Sequence, residues 1–268
     1  MPVLRYLTFL LLLSVSLIMG CGESGTGGTG AFSSSASLTL TADKTSVAAG
    51  DNVSATVKLT SLTSAPVDGV TVTVDSIYQG TVIGSYSSNT NTSGNAVINI
   101  PMTMVSSNRT LSLIARSNGI TSSGATSIAV VAPTLTTTMP TAATTMPEPA
   151  VAGGTVGVVL SGINATFKDG NGNGVPGQTI RFTLVSQSDL SGALIINGTT
   201  MAAGGFVDLA PVTDNSGVTS INVSALLVSS AAAGGVNTVG FNYILSTTYS
   251  SLTFTKQGDS SFTVTSPE

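Results

Sequence analysis

The chain has 268 residues, of which 41% are apolar and only 7% charged, enough to bury a core beneath an unusually uncharged surface. With 8 Lys+Arg against 12 Asp+Glu and a pI near 4.6, it lacks the cationic footprint that phosphate backbones require, which excludes nucleic acid as a partner. The absence of His and Trp, and a single Cys, remove the commonest general base, the commonest metal ligand and any internal disulfide, so the composition argues against an enzyme.

Residues 1–21 come first. Arg5 and the amino terminus precede an apolar run over residues 6–19 that ends at the small residue Gly20 and is followed by Cys21. These 14 residues are fewer than the about 20 that cross a hydrocarbon core as a helix, so the run reads as an export signal and not as a permanent span. Its end, Ile18-Met19-Gly20-Cys21, resembles the lipobox of bacterial lipoproteins: an aliphatic residue, a variable one, a small one, then the cysteine to be acylated. The resemblance implies cleavage between Gly20 and Cys21, a diacylglycerol thioether on Cys21 and acylation of the new amine. Covalent lipid is then the only non-protein group expected, no cofactor is implied, and the membrane is the first partner. At about 0.8 kcal/mol per buried CH₂, two or more acyl chains anchor a protein stably where one does not. The alternative is an ordinary cleaved signal with an incidental thiol at Cys21. Gly22 follows in place of Asp, which in well-studied Gram-negative families implies an outer-membrane lipoprotein, with the periplasmic or surface face left open.

The Gly/Ser/Thr segment that continues from Cys21 to residue 36 has no periodicity and reads as a flexible tether with a reach of about 20 Å. From residue 37 the pattern becomes short apolar alternations divided by Gly, Asn, Asp, Ser and Pro, the signature of an all-β sandwich. Predicted strands fall at residues 38–41, 53–59, 70–74, 81–86, 96–100, 111–116 and 126–131. In Val70-Thr71-Val72-Thr73-Val74 the valines take one face and the threonines the other. Seven strands within residues 37–133 match an immunoglobulin-like domain in size and density. Ser and Thr total 78 and Gly adds 30, so short polar side chains solvate the surface, as in many exported β-proteins.

Residues 134–268 repeat this grammar as a second immunoglobulin-like domain. Val47-Ala48-Ala49-Gly50, leading into the second strand, is answered by Val151-Ala152-Gly153-Gly154, and Ser54-Ala55-Thr56-Val57-Lys58 by Asn164-Ala165-Thr166-Phe167-Lys168. The turn and strand from Val67 through Gly69 to Val74 are answered by those from Val175 through Gly177 to Phe182, with Val72/Ile180 and Val74/Phe182 inward. Ser93-Gly94 is answered by Ser216-Gly217. The second copy is about fifteen residues longer, and the excess is expected as an enlarged loop within residues 187–213. Residues 133–149, rich in Thr, Met and Pro, read either as a semi-rigid linker or, preferably, as a first strand that mirrors 38–41 followed by an extended loop. The turns Asp169-Gly170-Asn171-Gly172-Asn173-Gly174-Val175-Pro176-Gly177 and Thr213-Asp214-Asn215-Ser216-Gly217 are similar to those of invasin- and intimin-type bacterial immunoglobulin-like repeats, the group 1 kind. That resemblance implies a cell-envelope spacer or adhesion module. Its motifs are turns, and turns specify fold, not ligand.

One string has the look of a metal loop. Asp169, Asn171 and Asn173 reproduce the first half of a D-x-N-x-N-G calcium loop, but the twelfth position is Ile180, which cannot ligate. The site is at best a weak one completed by a distant Asp, and a Gly/Asn turn supplying positive φ accounts for the string more simply. There is no G-x-S-x-G or S-x-x-K, and Asp43, Asp51, Asp68, Asp169 and Asp214 fall at predicted turns, so nucleophilic and paired-carboxylate catalysis find no support. Phe167, Phe182, Phe241 and Phe254 lie on strand alternations and read as core. Tyr78, Tyr86, Tyr243 and Tyr249 remain candidate contact residues, Tyr249 first because it sits in a Ser/Thr run. The functional expectations are a non-enzymatic envelope lipoprotein serving adhesion or spacing, a glycan- or peptide-binding module using the insertion at 187–213, or an accessory subunit of an envelope or secretion complex. Partners beyond the membrane are therefore a cell surface, a glycan or a protein.

Overall fold

Val, Ile and Thr dominate the alternating segments, and their β-branching favours the pleated backbone over the helix. In the computed structural model, which describes residues 36–139, 144–145, 155–186, 192–201, 205–228 and 236–265, every regular element is a strand. Domain 1 comprises β1 (Ser37–Ala42), β2 (Ser46–Ala48), β3 (Asn52–Thr60), β4 (Thr71–Tyr78), β5 (Thr81–Asn89), β6 (Asn95–Pro101), β7 (Arg109–Ser117), β8 (Ile120–Thr121) and β9 (Thr126–Val131). One sheet runs β1-β3-β6 and the other β2-β9-β7-β4-β5, with β8 paired to β7. Their inner faces close over Val53, Val57, Leu59, Val72, Val74 and Leu113, all fully buried. All seven predicted strands of this copy are present.

The stretch at 47–50 is not merely a lead-in to the second strand. Ser46–Ala48 is a strand of its own, parallel to β9 with Val47 opposite Val130. The first strand therefore changes sheets, β1 pairing with β3 and β2 with β9. Asp43 makes the corner: its Oδ1 accepts from the Ser54 amide at 2.8 Å and its own amide donates to Ser54 O at 3.0 Å.

Domain 2 comprises β10 (Thr134–Thr138), β11 (Thr144–Thr145), β12 (Thr155–Lys168), β13 (Arg181–Ser186), β14 (Gly192–Ile196), β15 (Thr199–Met201), β16 (Phe206–Leu209), β17 (Val218–Val228), β18 (Val236–Tyr249) and β19 (Leu252–Thr265). Its sheets run β10-β12-β17-β14-β15 and β11-β19-β18-β13-β16. Phe167, Phe182, Phe241 and Leu245 fill a second, separate core. The start of the 133–149 segment is strand: Leu135 pairs with Phe167 as Leu38 pairs with Leu59, and β11 runs parallel to β19 as β2 does to β9. Only Ala132 and Pro133 separate β9 from β10.

The excess of the second copy is largely strand, where a loop was expected. β14 and β15 form a hairpin that extends one sheet, while β16 takes in the other sheet the edge place that β5 has in domain 1. Asn197 and Gly198, at φ of 46° and 82°, form the two-residue turn that an Asn-Gly pair favours between apolar and β-branched runs.

The two copies also align differently in the second strand. The Leu59 amide donates to Gly94 O and that of Phe167 to Gly217 O, while Val67 and Val175 donate back to Leu59 O and Phe167 O. Leu59 is thus the counterpart of Phe167, which places Val57 opposite Ala165, two residues from the pairing read in the sequence. A shift of two keeps every side chain on its face, so alternation cannot detect it.

Candidate functional site

The D-x-N-x-N-G string folds as a turn. Asp169 Oδ1 accepts the backbone amides of Asn171 at 2.9 Å and Asn173 at 2.8 Å, and Oδ2 lies 3.4 Å from Asn173 Nδ2. Gly172 supplies the positive φ, at 83°. The Asn171 side chain is aimed out of the loop, its Nδ2 donating to Asp51 Oδ2 of domain 1 at 3.1 Å. Asp169, Asn171 and Asn173 are therefore adjacent, but the carboxylate serves the turn and one amide serves a neighbour. Among the described residues no three His, Cys, Asp or Glu side chains converge as a metal site.

The second turn motif has the same construction in both domains. Thr90 Oγ1 accepts the Val70 amide at 3.0 Å and Thr213 Oγ1 accepts the Gln178 amide at 2.9 Å. Gly69 and Gly177 donate to Thr90 O and Thr213 O at 2.8 and 3.0 Å. The following glycines are obligatory. Gly94 and Gly217 both sit at φ of 73°, and a Cβ on either would lie within 2.5 and 2.3 Å of the carbonyl oxygens of Leu59 and Phe167.

Among the described residues two ion pairs lie outside the turns. Asp75, its side chain 3% exposed, pairs with Arg116 and accepts from Ser85 Oγ at 2.7 Å. Beside it an open groove of about 430 Å³ is lined by Thr71, Thr73, Arg116, Asn118 and Thr121. Arg181 donates through Nε to both carboxylate oxygens of Asp208, at 2.9 and 2.8 Å, and through a second nitrogen to one of them. Those hydrogen bonds hold the Asp208 carboxyl below its ordinary value and the Arg181 guanidinium above its own.

The aromatics divide differently from the sequence reading. The four phenylalanines expected in the core are buried there. Tyr249, the first candidate for contact, packs its ring edge-on against Phe167 at 5.4 Å, and Tyr243 is buried. Tyr78 and Tyr86 lean on the core of domain 1, Tyr78 also lying under the Arg109 guanidinium at 5.4 Å. Among the described residues the exposed aromatic is Phe206, 74% accessible at the start of β16 and directly opposite the exposed Val185. Its position after Gly204-Gly205, at the edge of the insertion, is the signal that could have singled it out. Gly20 and Cys21 lie outside the described residues.

No protein-family model matches the chain, and no curated protein matches it. Among solved structures, the Yersinia pseudotuberculosis adhesin InvE is similar at 18% identity and a TM-score of 0.34, with 88% of this chain and 61% of that one covered. Invasin, described as a bacterial integrin-binding protein, is similar at 16% identity and a TM-score of 0.36, over 82% of this chain and 38% of that one. Escherichia coli alpha-2-macroglobulin activated by porcine elastase is similar at 11% identity and a TM-score of 0.33, over 88% and 22%. The chain thus spans about three-fifths of the adhesin and less of the other two.

Proposed function

We propose that the chain is a non-enzymatic cell-envelope lipoprotein, anchored through acylated Cys21, whose two immunoglobulin-like sandwiches act as a surface adhesion or spacer module. The observation that carries this reading is the order of its parts. The chain's one cysteine stands at the end of an export signal, a Gly/Ser/Thr tether follows, and two sandwiches come next with only Ala132 and Pro133 between their strands. Acyl chains on Cys21 supply the hold, and the tether lifts the first domain about 20 Å from the headgroups. The short Ser and Thr side chains on the outer sheet faces keep the modules hydrated without charge. Digestion of the protein by protease added to intact cells is the expected result. Full protection until the envelope is opened would contradict surface adhesion.

Exposed Phe206 favours a second reading, in which the edge strand β16 of domain 2, just past the inserted hairpin, binds a peptide or glycan. An exposed aromatic ring on an edge strand offers a peptide both an apolar contact and a strand to pair with. Phe206→Ala is then expected to abolish binding to cells or matrix while leaving the fold intact. Retained binding in that variant would remove this reading.

A further inference from the structure

The loop at residues 169–174 meets domain 1 at the end where β9 leaves. A Cβ added to Gly170 would lie 2.2 Å from the carbonyl oxygen of Val131 and 2.9 Å from the Cα of Ala48, so only glycine fits against that backbone. The loop itself makes no such demand. Positive φ is found at Gly172 and Gly177 but not at Gly170. Domain 1 moreover contains the same loop with a different residue at this place. Ser61 donates to Ala65 O at 2.8 Å and Ser64 to Ser61 O at 3.0 Å, as Asp169 donates to Asn173 O at 2.9 Å and Gly172 to Asp169 O at 3.0 Å. The counterpart of Gly170 is therefore Leu62, which is 65% exposed. A leucine is compatible with the loop where no domain packs on it. Its absence at residue 170 reflects the neighbour. Two further contacts serve the junction: Asn171 Nδ2 donates to Asp51 Oδ2 at 3.1 Å, and the buried Ala132 donates its amide to Asn108 Oδ1 at 2.8 Å.

We propose that Gly170 and Asn171 seat domain 2 on the exit end of domain 1 and fix the junction between them, and that Leu62 bars the opposite end of domain 1 from seating on a module in the same way. The second position of this loop is then a stacking determinant, glycine where one sandwich docks on another and a bulky side chain where the end stands free. The two sandwiches accordingly move together.

Hydrogen exchange read by mass spectrometry on the full chain tests this, with Gly170→Leu, Asn171→Ala and Leu62→Gly beside wild type. Peptides covering 47–51 and 131–134 are expected to exchange about tenfold faster in Gly170→Leu and a few-fold faster in Asn171→Ala, since both open the junction locally. Peptides in β12 and β13 keep their wild-type rates, and Leu62→Gly leaves the junction unchanged. Wild-type exchange at 131–134 in a folded Gly170→Leu chain would overturn the proposal. If Gly170→Leu loosens the domain 2 core, unchanged exchange at 47–51 and 131–134 in Asn171→Ala overturns it instead.

Discussion

Asn91 and Asp214 do the same work in the two domains. Asn91 Oδ1 accepts the amides of Ser93 at 3.0 Å and Asn95 at 3.1 Å, and Asp214 Oδ1 accepts those of Ser216 at 2.8 Å and Val218 at 2.9 Å. One is neutral and the other charged, so the turn requires an acceptor oxygen and not a charge. Asp214→Ala is expected to cost about 1–2 kcal/mol of domain 2 stability, and Asp214→Asn less than about 0.5 kcal/mol. Urea unfolding of the two variants checks this, and equal losses would contradict it.

Asp75 is buried in the middle of β4 and is neutralised by the half-exposed Arg116. Removing the arginine strands a buried carboxylate, so Arg116→Met is expected to destabilise domain 1 by about 3 kcal/mol. Replacing both partners with apolar residues, Asp75→Val with Arg116→Met, recovers most of that loss. Thermal unfolding of the single and double variants decides the matter. A double variant no better than the single one would show that the pair does more than neutralise charge.

Asp208 and Arg181 lie on the surface and give a titration prediction. Hydrogen bonds from Arg181 lower the Asp208 carboxyl below its ordinary value of 3.8. The small stabilisation from this pair is therefore fully present above that value and is lost as pH falls through the lowered one. The carboxyl ¹³C titration midpoint of Asp208 is expected to rise in Arg181→Gln. An unmoved midpoint would show that the guanidinium is not its cause.

Four hairpins share a two-residue turn with both φ angles positive, and three of them place glycine second, at Gly80, Gly119 and Gly198. The fourth, joining β18 to β19, has Ser250 at 48° and Ser251 at 69°. Serine carries a steric cost in that region which glycine does not, so Ser251→Gly is expected to stabilise domain 2 by about 1 kcal/mol. A destabilised variant, measured by chemical unfolding, would mean that the serine hydroxyl compensates.

Fold class and the two-copy organisation were legible because the signal is local and periodic. Val72 and Val74, like Ile180 and Phe182, declare their inward face by alternation alone. What alternation could not resolve was register. The two-residue offset between β3 and β12 leaves every face unchanged and is fixed only by the Leu59 and Phe167 hydrogen bonds. The insertion reads as loop by its excess length, although its Asn197-Gly198 pair is itself a hairpin signal. The packing of Tyr249 is hidden for a different reason, since its Ser/Thr neighbours do not reveal that its partly buried ring meets Phe167 of a distant strand edge-on. Gly170 reads in the sequence only as part of a turn, because its constraint comes from Val131 in the other domain.

The central claim is that Cys21 carries lipid and holds the two sandwiches at the envelope. Cells expressing the full chain or its Cys21→Ser variant can be fed a clickable palmitate analogue and then fractionated. Label is expected on the wild-type protein in the membrane fraction, and the variant is expected to be unlabelled and no longer retained there. Equal labelling of both proteins, or equal membrane retention without any label, would contradict it.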